Sequence, residues 1–307
     1  MHQLSVTILA LKAYFLNHNL VMHWRFSRRF FLFQLLSWLI AGCKPTPKST
    51  GILTIGVINY GGGEEIIKQY TQFNQLLSEK TKARIRLEPV FNENKAIERL
   101  EAGAWSLIFA PPGIAAIAIS RHQYTSIFPL VGVSNLRSIF VVRKDSPIQD
   151  LKQLQGQTVA LGQLGSATGY YFPLYNLFGL TLAEILFAPT PKTVLELIAE
   201  GKAAAGAISL AEFNLYSSQL QPTEFRILYT DPHRVPPGGV LIGPTLERNR
   251  QEYIRKIMSE FPSALTQEVG YVPNGKVPDY QYMISIVERV RLIAPNLYNK
   301  PVRLILG

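Results

Sequence analysis

From Gly162 to Pro173 the chain reads Gly162-Gln163-Leu164-Gly165-Ser166-Ala167-Thr168-Gly169-Tyr170-Tyr171-Phe172-Pro173, residue types that suit an anion. The glycines let backbone N–H groups approach a ligand closely, and the hydroxyls of Ser166 and Thr168 add donors. A helix opening here would aim its unpaired N–H groups and its positive dipole end at that ligand. The run lacks the lysine of a phosphate-binding P-loop, and its glycines miss G-x-G-x-x-G, which speaks against a nucleotide. The same residues also fit a helix start with no ligand, Ser166 or Thr168 merely capping the first turn.

Other candidates are weaker. Tyr60, followed by Gly61-Gly62-Gly63, ends a predicted strand at the edge where open α/β sheets bind ligands, or simply forms a turn. Trp105, Tyr170 and Tyr171 suit either a cleft wall or a core. His122 and His233 stand alone and read as ordinary surface or loop residues.

The elements that would position these residues follow from hydrophobic periodicity. Residues 52–58 form a short β-branched apolar run, a buried strand. Ile66, Ile67, Tyr70, Phe73, Leu76 and Leu77 then recur at helical spacing. Further strands are expected over 84–90, 107–110, 127–133 and 138–143, with a short helix at Ala96, Ile97 and Leu100 between the first two. Ser146-Pro147 predicts a helix start, and Gly156 its stop. The alternation resumes with a strand over 158–161, a helix from about 168 and a strand over 184–188. Thr190-Pro191 caps the next helix, and strands over 205–209 and 225–229 follow. After Pro236 come a strand at Val240-Leu241-Ile242, a helix bearing Ile254, Ile257, Met258 and Phe261, and a last helix from about 279 to 293. Strand–helix alternation of this kind implies mostly parallel sheets covered by helices.

Composition narrows the function classes. At 307 residues, with 47% hydrophobic and 17% charged residues and mean hydropathy +0.10, the chain can bury a sizeable core and suits two domains. A single cysteine excludes an internal disulfide, a Cys-based zinc site and an iron–sulfur cluster. No cofactor is expected. Three of the five histidines fall in the first 23 residues, so a multi-histidine metal centre in the body is not expected. The net charge of +10 falls to +6 (27 basic against 21 acidic residues) once residues 1–42 are set aside, too diffuse for nucleic acid. There is no G-x-S-x-G elbow and no clustered carboxylate pair, so catalysis is not expected.

Residues 1–42 read as an address rather than as fold. Arg28-Arg29 precede a 12-residue apolar run, 30–41, short of the about 20 residues that span a bilayer. Ile40-Ala41-Gly42 then leads into Cys43. The arrangement resembles a bacterial lipoprotein signal, with lipid on Cys43, and Ser-Arg-Arg-x-Phe-Leu resembles a twin-arginine motif. A plain membrane anchor with an incidental cysteine is the alternative. Met22 starts a conventional signal, so residues 1–21 read as an upstream start-site artefact. Residues 43–51 read as a polar tether.

The stretch Phe140-Val141-Val142-Arg143-Lys144-Asp145-Ser146-Pro147-Ile148, then Asp150-Leu151 to Gly156, then Gly165 to Tyr170 with Pro173, resembles the phosphate/phosphite/phosphonate-binding proteins of ABC transporters. The resemblance runs from Ile52 to about Phe261. It implies a two-lobe α/β periplasmic binding protein type II fold, each lobe a mostly parallel sheet flanked by helices, closing on a ligand in the cleft between them. The expected division is 52–137 for the first lobe, 138–231 for the second, and 232–307 for a return to the first lobe with C-terminal helices. Implied ligand contacts are Ser166, Ala167, Thr168, Gly169 and Tyr170, with Tyr60 and Asn94 from the first lobe and Glu212, where some members place an acid that meets a ligand amine. Ala167 replaces a family threonine, Asn94 a tyrosine and Ser106 an aspartate. The function implied is capture of a small oxyanion for an ABC permease by a monomeric, lipid-anchored bacterial protein, in the periplasm or on the outer face of the cytoplasmic membrane. A sensory or scaffold lipoprotein that keeps the fold with altered ligand is the alternative.

Overall fold

A computed structural model describes residues 51–58, 63–132, 136–220 and 222–306. Residues 1–50, which carry the expected signal, tether and Cys43, lie outside the described residues, as do Tyr60, Gly61 and Gly62. Residues 50–307 form one compact unit.

The strands assemble into two five-stranded sheets. The first takes β1 (Ile52–Ile58), β2 (Arg84–Val90), β3 (Leu107–Ala110), β4 (Thr125–Pro129) and β11 (Gly239–Ile242), in the order β2-β1-β3-β11-β4. The second takes β5 (Ser138–Arg143), β6 (Thr158–Leu161), β8 (Glu184–Phe187), β9 (Ala205–Ser209) and β10 (Phe225–Thr230), in the order β10-β5-β9-β6-β8. In each sheet one strand opposes the other four: β11 in the first and β5 in the second. Both are the strands that the chain enters on crossing between sheets.

The inner strands of each sheet are buried on both faces, which is why they read as continuous apolar runs. On one face of the first, Leu53, Ile55 and Val57 meet α1 (Gly63–Gln69), α2 (Thr71–Thr81) and α8 (Arg248–Ser259) through Ile66, Phe73, Leu77, Ile254 and Met258. The other face shares an apolar cluster with α3 (Glu93–Glu101), α4 (Pro112–His122) and α10 (Gln281–Ile293). That cluster continues into the second sheet through Phe140, Val142, Val159 and Leu161. The far face of the second sheet is sealed by α6 (Pro191–Ala199).

One expectation needs correction. The start predicted at Ser146-Pro147 is displaced: Asp150 caps a single turn, Leu151–Leu154, by accepting the Gln153 N–H at 3.1 Å. Within 232–307, β11 rejoins the first sheet and the later elements reach both sheets. α10 lies against both α4 and the helix after Ser166, and β12 (Val302–Arg303) pairs with β7 (Thr181–Leu182) beside the second sheet. Arg121 to Glu288 at 2.9 Å fastens α10 to α4, while Arg289 stacks on Phe178 of the second lobe.

Candidate anion-binding site

The motif between Gly162 and Pro173 does open a helix at the carboxyl end of β6. The first turn, Ala167–Tyr171, is wound with π spacing, and α5 (Phe172–Asn176) continues it. Pro173 accounts for the local geometry. It has no N–H, so it cannot donate to the carbonyls one turn back. Those carbonyls find other donors: Gly169 O accepts from Gly162 N at 2.8 Å, and Thr168 O accepts from the Ser138 hydroxyl at 2.6 Å. Phe172 N–H donates to Ala167 O.

Ser166 is the cap. Its Oγ accepts the Gly169 N–H at 3.1 Å, and its carbonyl accepts from both Tyr170 and Tyr171. Thr168 does not cap, since Ser166 holds that position, and its side chain is buried at 7% exposure. Of the two hydroxyls, Ser166 is therefore committed to the helix as acceptor, with its proton still available, whereas Thr168 has no capping duty. Tyr170 packs on Tyr171 at 5.0 Å and Phe187 at 5.9 Å between ring centres, and burial pushes its phenol up to about 12. Its ring is core of the second lobe.

The first lobe meets this loop through glycine. Gly165 lies at φ +109°, where a side chain is strained, and a Cβ there would come within 2.5 Å of Glu93 Cβ and 2.7 Å of Ile114 Cδ1. A Cβ on Gly113, near the start of α4, would overlap the Gly165 carbonyl oxygen and lie 3.0 Å from Ala167 N. The lobes thus touch, backbone against backbone, beside the N–H groups of the motif.

From the same lobe the resemblance implies Asn94 as a ligand contact. Asn92 caps α3 through the Lys95 N–H at 2.8 Å, which fixes Glu93 as the first helical residue. Glu93 is then buried against Gly165, and Asn94 turns out to solvent. Glu212 forms a capping box with Ser209: its carboxylate accepts Ser209 N–H at 2.8 Å, while Ser209 Oγ accepts Glu212 N–H at 3.1 Å. That carboxylate serves the start of α7 (Leu210–Tyr216). Trp105 is fully buried, its indole lying where a Cβ on Gly56 would fall.

No local pattern marks Gly113, Glu93, Ser138, Asn176 or Asp231. The last three tie the motif to the crossings between lobes. Asp231, 1% exposed, accepts from Asn176 Nδ2 at 2.6 Å and from His233 N at 2.8 Å, and its own N–H donates to Ser138 O at 2.9 Å. His233 stacks on Tyr282 of α10 at 4.4 Å. An open cavity at the same crossings is lined by Leu130, Gly132, Arg234, Pro236, Asp279 and Tyr282, and the Ser166 loop takes no part in it. Among the described residues no group of three or more His, Cys, Asp or Glu could hold a metal, and no helix is long and apolar enough to cross a membrane.

Two sheets with one reversed strand each, a double crossing and a helix start facing the seam define a two-lobe periplasmic binding protein. The sequence matches the family described as ABC transporter, phosphonate, periplasmic substrate-binding protein over residues 55–275, and the chain belongs to that family. Its members bind a substrate for transport and are not enzymes. Among solved structures, a Xanthomonas citri protein bound to chloride ion is 18% identical with a TM-score of 0.64, covering 78% of this chain and 98% of its own. PhnD1 from Prochlorococcus marinus in complex with methylphosphonate is 17% identical with a TM-score of 0.60, covering 79% and 99%. A binding protein component of an ABC phosphonate transporter from Pseudomonas aeruginosa is 12% identical with a TM-score of 0.57, covering 80% and 86%. Comparison with curated protein sequences finds no match.

Proposed function

We propose that the chain captures a small oxyanion of the phosphonate, phosphite or phosphate type at the seam between its lobes and delivers it, as a monomer, to an ABC permease. The donors are the N–H groups of Ala167 and Thr168 and the hydroxyls of Ser166 and Thr168, the expected Gly169 N–H being taken by Ser166 Oγ. The observation that carries this reading is the division of labour at the helix start: Ser166 caps, which frees Thr168 for a ligand. Lipid on Cys43 holds the protein at the outer face of the cytoplasmic membrane. The support for that anchor lies in the sequence, where Cys43 is the sole cysteine and follows Ile40-Ala41-Gly42.

A thermal-shift screen of the chain from Lys44 onward against phosphate, phosphite, methylphosphonate and sulfate tests the proposal. A ligand at 100 times its dissociation constant adds about 2.7 kcal/mol of stability. One observation favours the second reading, a sensory or scaffold lipoprotein. Gly113 already covers Ala167 N, and the carboxyl-bearing Glu93 is buried against Gly165. No melting shift with any of the four anions selects the scaffold.

A further inference from the structure

The proposed ligand site lies at the carboxyl ends of the strands, and the described chain begins at the opposite pole of the first lobe. There the cations gather. Ile52 of β1 pairs with Arg84 of β2, and Arg84 N–H donates to Gly51 O at 3.2 Å. A Cβ on Gly51 would lie 3.2 Å from the Arg250 guanidinium. Tyr253, one turn further along α8, donates its hydroxyl to Lys80 O at 2.8 Å, which brings the end of α2 alongside. Lys80, Lys82, Arg84, Arg86 and Lys256 are all exposed.

The cations outnumber the acids of this pole. Glu252 pairs with Arg248 at 3.1 Å, which leaves Glu79 and Glu247, the N-cap of α8, as the acids beside them. Among the described residues Lys80, Lys82, Arg84, Arg86, Arg250 and Lys256 make no ion pair within 4.0 Å. The sequence leading into Gly51 adds only positive charge: Lys44 and Lys48 lie there, and the first acid of the chain is Glu64. Ile52 and Tyr253 add apolar surface at 49% and 47% exposure.

We infer that this pole is an electrostatic docking surface for an anionic phospholipid bilayer. The inference rests on the anchoring reading for its proximity to lipid. Residues 44–51 reach at most about 28 Å from Cys43 when fully extended, so an anchored body is held where its pole can touch the headgroups. Juxtamembrane Lys and Arg are attracted to such a surface by about 1 kcal/mol each, within a Debye length of about 8 Å.

Vesicle co-sedimentation of the chain from Lys44 onward, which contains the whole compact unit, tests the surface without any lipid on the protein. The chain should bind vesicles of phosphatidylcholine mixed with phosphatidylglycerol and not phosphatidylcholine alone. Raising salt from about 0.1 M to about 1 M, which cuts the Debye length from about 10 to about 3 Å, should release it. Lys80→Glu with Arg84→Glu should lower the partition coefficient by about 30-fold or more. Lys152→Glu with Lys276→Glu, the same charge change elsewhere, should leave binding intact. Equal binding to both vesicle types, no binding to the mixed ones, or equal loss in the control pair overturns the inference. So does a chain that ignores vesicles but binds poly(A) through Lys80 and Arg84. Unlipidated Cys43 in the full-length chain, alongside salt-sensitive vesicle binding, supports the docking surface and refutes the anchor alone.

Discussion

Ser138 donates its hydroxyl to the Thr168 carbonyl at 2.6 Å, joining the first residue of β5 to the second residue of the helix that opens after Ser166. The other end of that helix is held as well, because Asn176 donates to the buried carboxylate of Asp231, whose N–H in turn donates to Ser138 O. Both ends of the helical run are therefore fixed to the two crossings between lobes. The Ser166 loop is thereby tied to those crossings.

Ser138→Ala tests this tie. Phe172 N–H is taken by Ala167 O and Pro173 has none to give, so the Thr168 carbonyl loses its donor while buried. An unsatisfied buried acceptor costs about 1–3 kcal/mol. For a body of this size each kcal/mol lowers the melting temperature by roughly 2–4 °C. A variant that melts with the wild type would remove Ser138 from the account.

The cap assignment separates two neighbouring hydroxyls. Ser166→Ala should lose about 1 kcal/mol of stability, the usual cost of an N-cap. Thr168→Val, which keeps the buried volume and removes no cap, should melt closer to the wild type than Ser166→Ala does. Calorimetric melting of the two variants side by side checks the assignment, and equal losses would contradict it.

How much of this was legible beforehand depends on distance along the chain. Strands β1, β3, β5 and β6 carry apolar runs between turn residues and β2 alternates charged with apolar residues, so their bounds follow from local pattern. Helix α4 escaped. Pro111-Pro112-Gly113 reads as a breaker, and the segment after it is buried from Gly113 to Ala118, so no polar stripe marks a helix. Pro112 at the first helical position was the available signal. Glu93 and Asn94 differ by one residue, or about 100° around the helix, and only the Asn92 cap decides which faces inward. The ties Ser138–Thr168 and Asn176–Asp231 span 30 and 55 residues and leave no periodic trace.

Gly113→Ala should wedge the lobes apart. Its methyl would overlap the Gly165 carbonyl oxygen, and overpacking of that kind costs about 1–3 kcal/mol. Small-angle scattering should give a larger radius of gyration than the wild type, with weaker anion binding. An unchanged scattering curve would show that the contact between Gly113 and Gly165 is not maintained in solution.

Alkaline pH should unfold the protein. Burial pushes the phenols of Tyr124 and Tyr170 up to about 12, and those of Tyr70, Tyr171, Tyr271 and Tyr280 upward in the same direction. A phenol whose folded pKa exceeds its unfolded 10.0 stabilises the fold fully below pH 10 and loses that contribution as pH climbs toward 12. Melting temperature should fall steeply above pH 10. Ionisation of all 14 tyrosines near pH 10 with the fold intact would refute the burial of these rings.

The central claim, an oxyanion held at the Ser166 helix start, is tested most directly by calorimetric titration of methylphosphonate into the wild type and Thr168→Ala. A hydroxyl bonded to a charged oxygen contributes about 1.5–3 kcal/mol, so the variant should bind roughly 10- to 150-fold more weakly. Binding by the wild type with that loss is the predicted result. Equal affinity in the two proteins would put the ligand elsewhere, and no heat from either would contradict capture of a phosphonate altogether.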